Sequence, residues 1–118
     1  MPMKIEEQAV LIWPVLAFAA RMQRVLTHGE LEELTGIPRY TQDKPLHLIY
    51  LHCEDKGFPL LNSLVVSQDT GLPGEPFPKP MTEIQFLVER ARVFTYGWYA
   101  KDKHPRSENF EALRSSTV

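Results

Sequence analysis

The stretch Thr27-His28-Gly29-Glu30-Leu31-Glu32-Glu33-Leu34-Thr35-Gly36-Ile37-Pro38 decides the fold. Thr27 and Glu30 have capping-box spacing: the threonine hydroxyl accepts the Glu30 amide, and the glutamate carboxylate accepts the Thr27 amide in return. The spacing predicts a short helix over 29–35, stopped by Gly36 and Pro38. Asp43-Lys44-Pro45 then opens another helix, with Asp43 as its cap and Pro45 in the first turn. It runs to about Lys56 and stops at Gly57. Two short helices joined by Gly36-Ile37-Pro38 make a helix-turn-helix.

Working outward, Ile5 to Gln23 reads as a helix restarted at Pro14. Ala9, Ile12, Leu16 and Ala19 form one stripe, and Val10, Trp13, Val15 and Phe18 make the other faces apolar too. Such an element belongs at the centre of the molecule. Arg24 to Thr27 is a short strand edge. Downstream, Leu60 to Val66 reads as a strand. Ser67-Gln68-Asp69-Thr70-Gly71 reads as a hairpin turn, so Val65–Leu72 forms a wing. Four prolines between Leu72 and Pro80 make a rigid arm or an edge. Thr82 and Gln85 repeat the capping-box spacing, and Ile84, Leu87, Val88, Ala91, Phe94 and Trp98 supply a helical core stripe. A last short helix starts at Ser107 and uses Phe110 and Leu113. The expected architecture is α+β, mainly helical: a winged helix-turn-helix with a long C-terminal helix. It is read as one domain over 1–118, with 107–118 a peripheral helix and frayed tail.

The chain has 118 residues, 43% hydrophobic and 24% charged, which fits a folded domain rather than a disordered one. Thirteen Lys and Arg against fifteen Asp and Glu give a net charge of −2. A binder dominated by phosphate neutralisation is usually far more basic. The balance is uneven: residues 1–76 carry six basic and ten acidic groups, and residues 77–118 carry seven and five. The acidic N-terminus does not read as a secretory leader. The apolar run from Ala9 to Ala20 is too short to span a membrane and contains Pro14. With its single cysteine, the chain reads as cytoplasmic, without a disulfide framework or a membrane association.

Trp13, Thr27-His28-Gly29-Glu30-Leu31, Gly36-Ile37-Pro38 and the helix from Lys44 together resemble the DNA-binding domain of alkylguanine DNA alkyltransferases and the non-catalytic alkyltransferase-like proteins. The resemblance covers Trp13 to about Leu72. It implies a winged helix, DNA as partner and a turn of the form Pro-Cys-His-Arg-Val-Val carrying the alkyl-accepting cysteine. This chain has Leu61-Asn62-Ser63-Leu64-Val65-Val66 there, with Asn62 in the place of the cysteine and Ser63 in that of the histidine. An amide cannot supply a thiolate's nucleophilicity. Lys44 stands where the family's helix-opening arginine would be.

No other residues assemble into catalytic machinery, and the expected protein is not an enzyme. Cys53 lies on the core stripe Leu46, Ile49, Tyr50 and Cys53, pointing about 100° away from His52. His28, His47, His52 and His104 lack metal-ligand spacing, so neither a metal nor a cofactor is expected. Glu30, Glu32 and Glu33 read as a capping group and a solvated face.

Recognition surfaces remain. For nucleic acid the candidates are Arg39, Lys44, His47 and His52 on the third helix and before it, Gln68 in the wing, and Lys101, Lys103 and Arg106 on phosphates. Leu48 and Leu51 share the third helix's outer face, which suits either a protein partner or a groove filled by the fold's own termini. With Trp98 and Tyr99 they are the candidates for a protein interface, the second reading being a regulator or inhibitor of a protein partner, of a kind that a mobile element would encode. A sensor of alkylated bases is the third reading, and a homodimer is left open.

Overall fold

The computed structural model describes residues 3–74, 77–99 and 104–116. Its elements in chain order are α1 (Ile5–Arg21), β1 (Leu26–Thr27), α2 (His28–Thr35), α3 (Asp43–Lys56), β2 (Val65–Val66), α4 (Glu83–Thr95) and α5 (Ser107–Ser116). Tight 3-10 turns at Arg39–Thr41 and Leu61–Leu64 precede α3 and β2. The fold is mainly helical with a small two-stranded sheet.

α1 runs unbroken through Pro14, and its buried face carries Ala9, Ile12, Trp13, Leu16 and Ala20. It packs on α2, α3, α4 and α5, which makes it the central element that its all-round apolar sequence requires. Both capping boxes form. Thr27 Oγ1 accepts the Glu30 amide at 3.1 Å while Glu30 Oε1 accepts the Thr27 amide at 2.9 Å. Thr82 and Gln85 do the same at 3.2 and 2.8 Å. Gly36 and Gly57 end α2 and α3 with φ of 77° and 71°, a left-handed conformation that costs glycine little.

The expected wing is corrected. β2 pairs in parallel with β1, Leu26 opposite Val65 and Thr27 opposite Val66, and no antiparallel partner strand follows it among the described residues. Ser67–Leu72 is a closed turn, with Ser67 N–H donating to the Leu72 carbonyl at 2.9 Å and Gly71 N–H to that of Ser67 at 2.9 Å. The prolines beyond Leu72 lack the amides that a returning strand would donate. The stretch before β2, expected as strand, is the 3-10 turn Leu61–Leu64, fully buried. Asp43 is the first residue of α3 rather than its cap; Gln42 takes that place without a side-chain capping bond.

α4 is turned over relative to its apolar stripe. Ile84, Leu87, Val88 and Ala91 face solvent, whereas Glu89 and Val93 are buried. The physical reason is a long-range bond: Glu89 Oε2 accepts the buried Leu60 amide at 2.7 Å, and its Oε1 accepts from Arg92 at 2.8 Å. A buried amide left without an acceptor would cost about 1–3 kcal/mol, enough to orient one helix. Trp98, expected on the same stripe, lies beyond the helix end. It is buried, its Nε1 donating to the Val93 carbonyl at 2.8 Å.

α5 is not peripheral. Phe110 is fully buried, and α5 packs on both α1 and α3. Arg114 hydrogen-bonds the buried Glu6 of α1 and holds its carboxyl below the usual range, against the opposing effect of burial.

Candidate functional site

α5 decides which part of α3 is available. His52 and Leu48 are buried and Leu51 is half-buried against the core, so the expected recognition face is covered along its middle. The alternative of a groove filled by the fold's own C-terminal segment is the one the structure has. His52 meets Trp13, Phe58 and Phe110 with ring centroids 5.4, 5.9 and 5.6 Å away. It is therefore a core residue and not a DNA contact. Burial, reinforced by Lys56 and opposed by Asp55, holds its pKa below the ordinary 6.5. The neutral ring is thus favoured in the fold, and the unfolded chain binds more protons as pH falls through 6.5. Stability should be constant above that value and decline below it by at most about 1.4 kcal/mol per pH unit, levelling off once the folded-state ring titrates. Denaturant midpoints between pH 7.5 and 5 check this, with His52→Phe removing the dependence attributable to this ring.

The first turn of α3 stays open. Lys44 and His47 are exposed, and the His47 ring stacks on Tyr50 at 5.9 Å. Arg39, just upstream, gives its Nε to Glu32 at 2.9 Å. Its guanidinium lies over Gly29, where an added Cβ would come within 3.3 Å of it. The bare glycine lets the arginine lie flat across the start of α2. Arg39, Gly29, His28, Thr27 and Gln68 line a shallow groove of about 250 Å³ between α2 and the Ser67–Leu72 turn. A smaller cavity of about 40 Å³ adjoins it, sharing His28 and Gly74 and reaching His47, Asp43 and Asn62.

Gln42 holds this face together. Its side chain is fully buried and joins three segments: Nε2 donates to the carbonyls of His28 and Ile37, each at 3.0 Å, and Oε1 meets His28 Nδ1 at 2.8 Å. With the amide hydrogens committed to carbonyls, Oε1 is the acceptor and His28 Nδ1 carries the proton. Nε2 of the neutral ring is then an acceptor. Asn62, at the floor of the smaller cavity, is buried, and its Oδ1 has no hydrogen-bond partner. Ser63 beside it donates to the Leu60 carbonyl at 2.7 Å, a structural bond. Cys53 is completely buried, and burial pushes its thiol up to about 12, so almost no thiolate exists near neutral pH.

The structure thus brings Arg39 and Gln68 to one groove and His47 to the cavity beside it; Lys44 is exposed and lines neither. Arg106 is exposed at the start of α5 and lines neither cavity. Lys101 and Lys103 lie outside the described residues. Of the protein-interface candidates, Leu48 and Trp98 are core residues and Leu51 packs against the core, because α5 and the end of α4 need their surface. Tyr99 is exposed, with the Arg21 guanidinium 5.4 Å above its ring. Sequence reasoning missed Gln42 and the roles of His28 and Gly29; a polar residue between Thr41 and Asp43 gives no sign that it will be buried. Among the described residues no three His, Cys, Asp or Glu side chains gather as metal ligands, and no helix is long and apolar enough to cross a membrane. Comparisons with protein-family models, curated proteins and solved structures find no match for the chain.

Proposed function

We propose that the protein is a non-catalytic nucleic-acid-binding protein of helix-turn-helix type, lacking the stranded wing, with duplex DNA as its partner. The observation that carries the reading is the meeting of Arg39, Gln68 and His28 around one groove, with His47 in the cavity that continues it. In this reading α2, the Gly36-Ile37-Pro38 turn and the open first turn of α3 act as the helix-turn-helix. The Ser67–Leu72 turn takes the place of a stranded wing. Arg39 and Lys44 meet phosphates, and His47 and Gln68 reach toward base edges.

With only two cationic contacts, Arg39 and Lys44, binding should be weak in salt and should fall with a slope of log K against log salt of about −2. Arg39→Ala should weaken binding about five- to tenfold, roughly 1 kcal/mol, across different sequences. Fluorescence anisotropy of a labelled duplex at low salt checks both numbers. Absence of binding there, or binding indifferent to Arg39, would overturn the proposal.

A second reading, a protein-interaction module, is favoured by a separate observation. Phe18 on α1, Met22 just beyond its end and Leu34 on α2, and Ile84, Leu87 and Val88 on α4, present apolar side chains to solvent. These take the place of the expected Leu48, Leu51 and Trp98.

A further inference from the structure

The cavity of about 40 Å³ beside the Arg39 groove gathers hydrogen-bond acceptors. Asn62 lines it, is only 5% exposed, and has an Oδ1 without a hydrogen-bond partner. No side-chain hydrogen bond fixes that amide among the described residues, and a half-turn of its broad terminal torsion brings the oxygen to the cavity. His28 lines the cavity too. Its Nδ1 hydrogen is committed to Gln42 Oε1 at 2.8 Å, so Nε2, the nitrogen it has left, is an acceptor. Asp43 adds a carboxylate that has no ion pair among the described residues, and Phe77 brings an aromatic ring to the wall. No lysine or arginine stands in the lining among the described residues.

These groups define the ligand by chemistry and size. A buried acceptor without a donor costs free energy that a donor in the cavity recovers. The Asp43 carboxylate repels an anion and attracts a cation, and an aromatic ring favours a cation as well. An ammonium carries three N–H donors, one each for the amide oxygen, the imidazole nitrogen and the carboxylate. The volume holds an ammonium and the carbon that bears it. It is far below the roughly 300 Å³ at which clefts for larger ligands begin, so a nucleobase does not fit. We propose that this cavity binds a primary ammonium group at the end of an unbranched alkyl chain, with Asn62, His28 and Asp43 as its acceptors. The same head group ends a lysine side chain and a free diamine. The site does not rest on the nucleic-acid reading, in which none of these three residues meets a phosphate or a base.

Titrating the isotope-labelled full chain with n-butylammonium chloride at constant ionic strength, without nucleic acid, tests the proposal. The backbone amide resonances of His28, Asp43 and Asn62, and the side-chain amide pair of Asn62, should shift together and saturate in the millimolar range. n-Butanol has a donor without the charge, and n-butyltrimethylammonium has the charge without a donor; each should bind at least about tenfold more weakly. Asn62→Leu, which fills the cavity and removes its buried acceptor, should weaken n-butylammonium binding by at least about tenfold. Asp43→Asn changes an exposed residue, leaves the core untouched and should weaken it about threefold. Circular dichroism confirms that both variants fold. Nα-acetyl-lysine methylamide and a diaminobutane then separate the two sources of the head group. Tighter binding of the first assigns the site to a lysine of a protein partner, tighter binding of the second assigns it to a free polyamine, and equal binding makes the head group the whole of the recognition. Absence of saturable shifts with n-butylammonium overturns the proposal. So do equal shifts with n-butanol or the quaternary analogue, or binding indifferent to either substitution in a folded variant. Because the titration contains no nucleic acid, its failure and a failure to bind duplex DNA are separate results.

Discussion

Phe110→Ala should lower the stability of the protein by about 3–5 kcal/mol, the range for removing a fully buried aromatic ring from a packed core. Phe110 has no exposed surface and stands against His52 at 5.6 Å, closing the side of α3 that would otherwise be its reading face. Small domains are stable by about 5–15 kcal/mol, so the loss consumes a large share of the total. The melting temperature should drop by more than about 10 °C. Phe110→Leu, which keeps most of the buried volume, should cost much less. Hydrogen exchange should localise the damage, with α5 and the adjoining face of α3 losing protection while α2 keeps its own. A loss below about 1 kcal/mol would mean that α5 is not docked on α3, and the long face of that helix would return as a candidate reading surface.

Gln42→Ala should cost about 2–4 kcal/mol, because three hydrogen bonds vanish and a buried and a partly buried carbonyl lose their donor. Those are the carbonyls of His28 and Ile37, and the third bond is to His28 Nδ1. Gln42→Glu is the sharper variant. It keeps the shape, but a carboxylate cannot donate to either carbonyl, so it should be at least as destabilising at neutral pH as alanine. Urea unfolding should show the loss as a lower midpoint with an unchanged slope. Because Gln42 ties the start of α2 to the start of α3, the variant should also weaken DNA binding while leaving the exposed charges Arg39 and Lys44 in the sequence. Full affinity in a destabilised Gln42→Ala protein would show that the groove does not depend on this tie.

What could be read in the sequence was local. The Thr27–Glu30 and Thr82–Gln85 boxes and the stops at Gly36 and Gly57 each follow from residues within one helical turn, and all four form. What could not be read was settled by residues far apart in the chain. The ridge of α4 points outward because Glu89 answers an amide 29 positions away, and a stripe of Ile84, Leu87 and Val88 gives no warning of that. Val65 and Val66 look alike whether they begin a hairpin or pair with a distant strand; their partner is Leu26–Thr27. His52 appears on an outer face until Phe110 of α5 packs against it. For the site, Arg39, His47 and Gln68 were legible as polar groups flanking a helix start. Gln42 and Gly29 were not, since the burial of one and the close approach over the other exist only once α2 and α3 are brought together.

The central claim is that the face formed by the start of α2, the first turn of α3 and the Ser67–Leu72 turn binds duplex DNA. Titrating the isotope-labelled protein with a short duplex at low salt, and following its amide resonances, tests it most directly. Resonances of Thr27–Gly29, Arg39–His47 and Ser67–Gly74 should shift together and saturate, and those of Phe18, Met22 and Leu34 should stay in place. Shifts confined to those three residues, or no shifts at all, would contradict it.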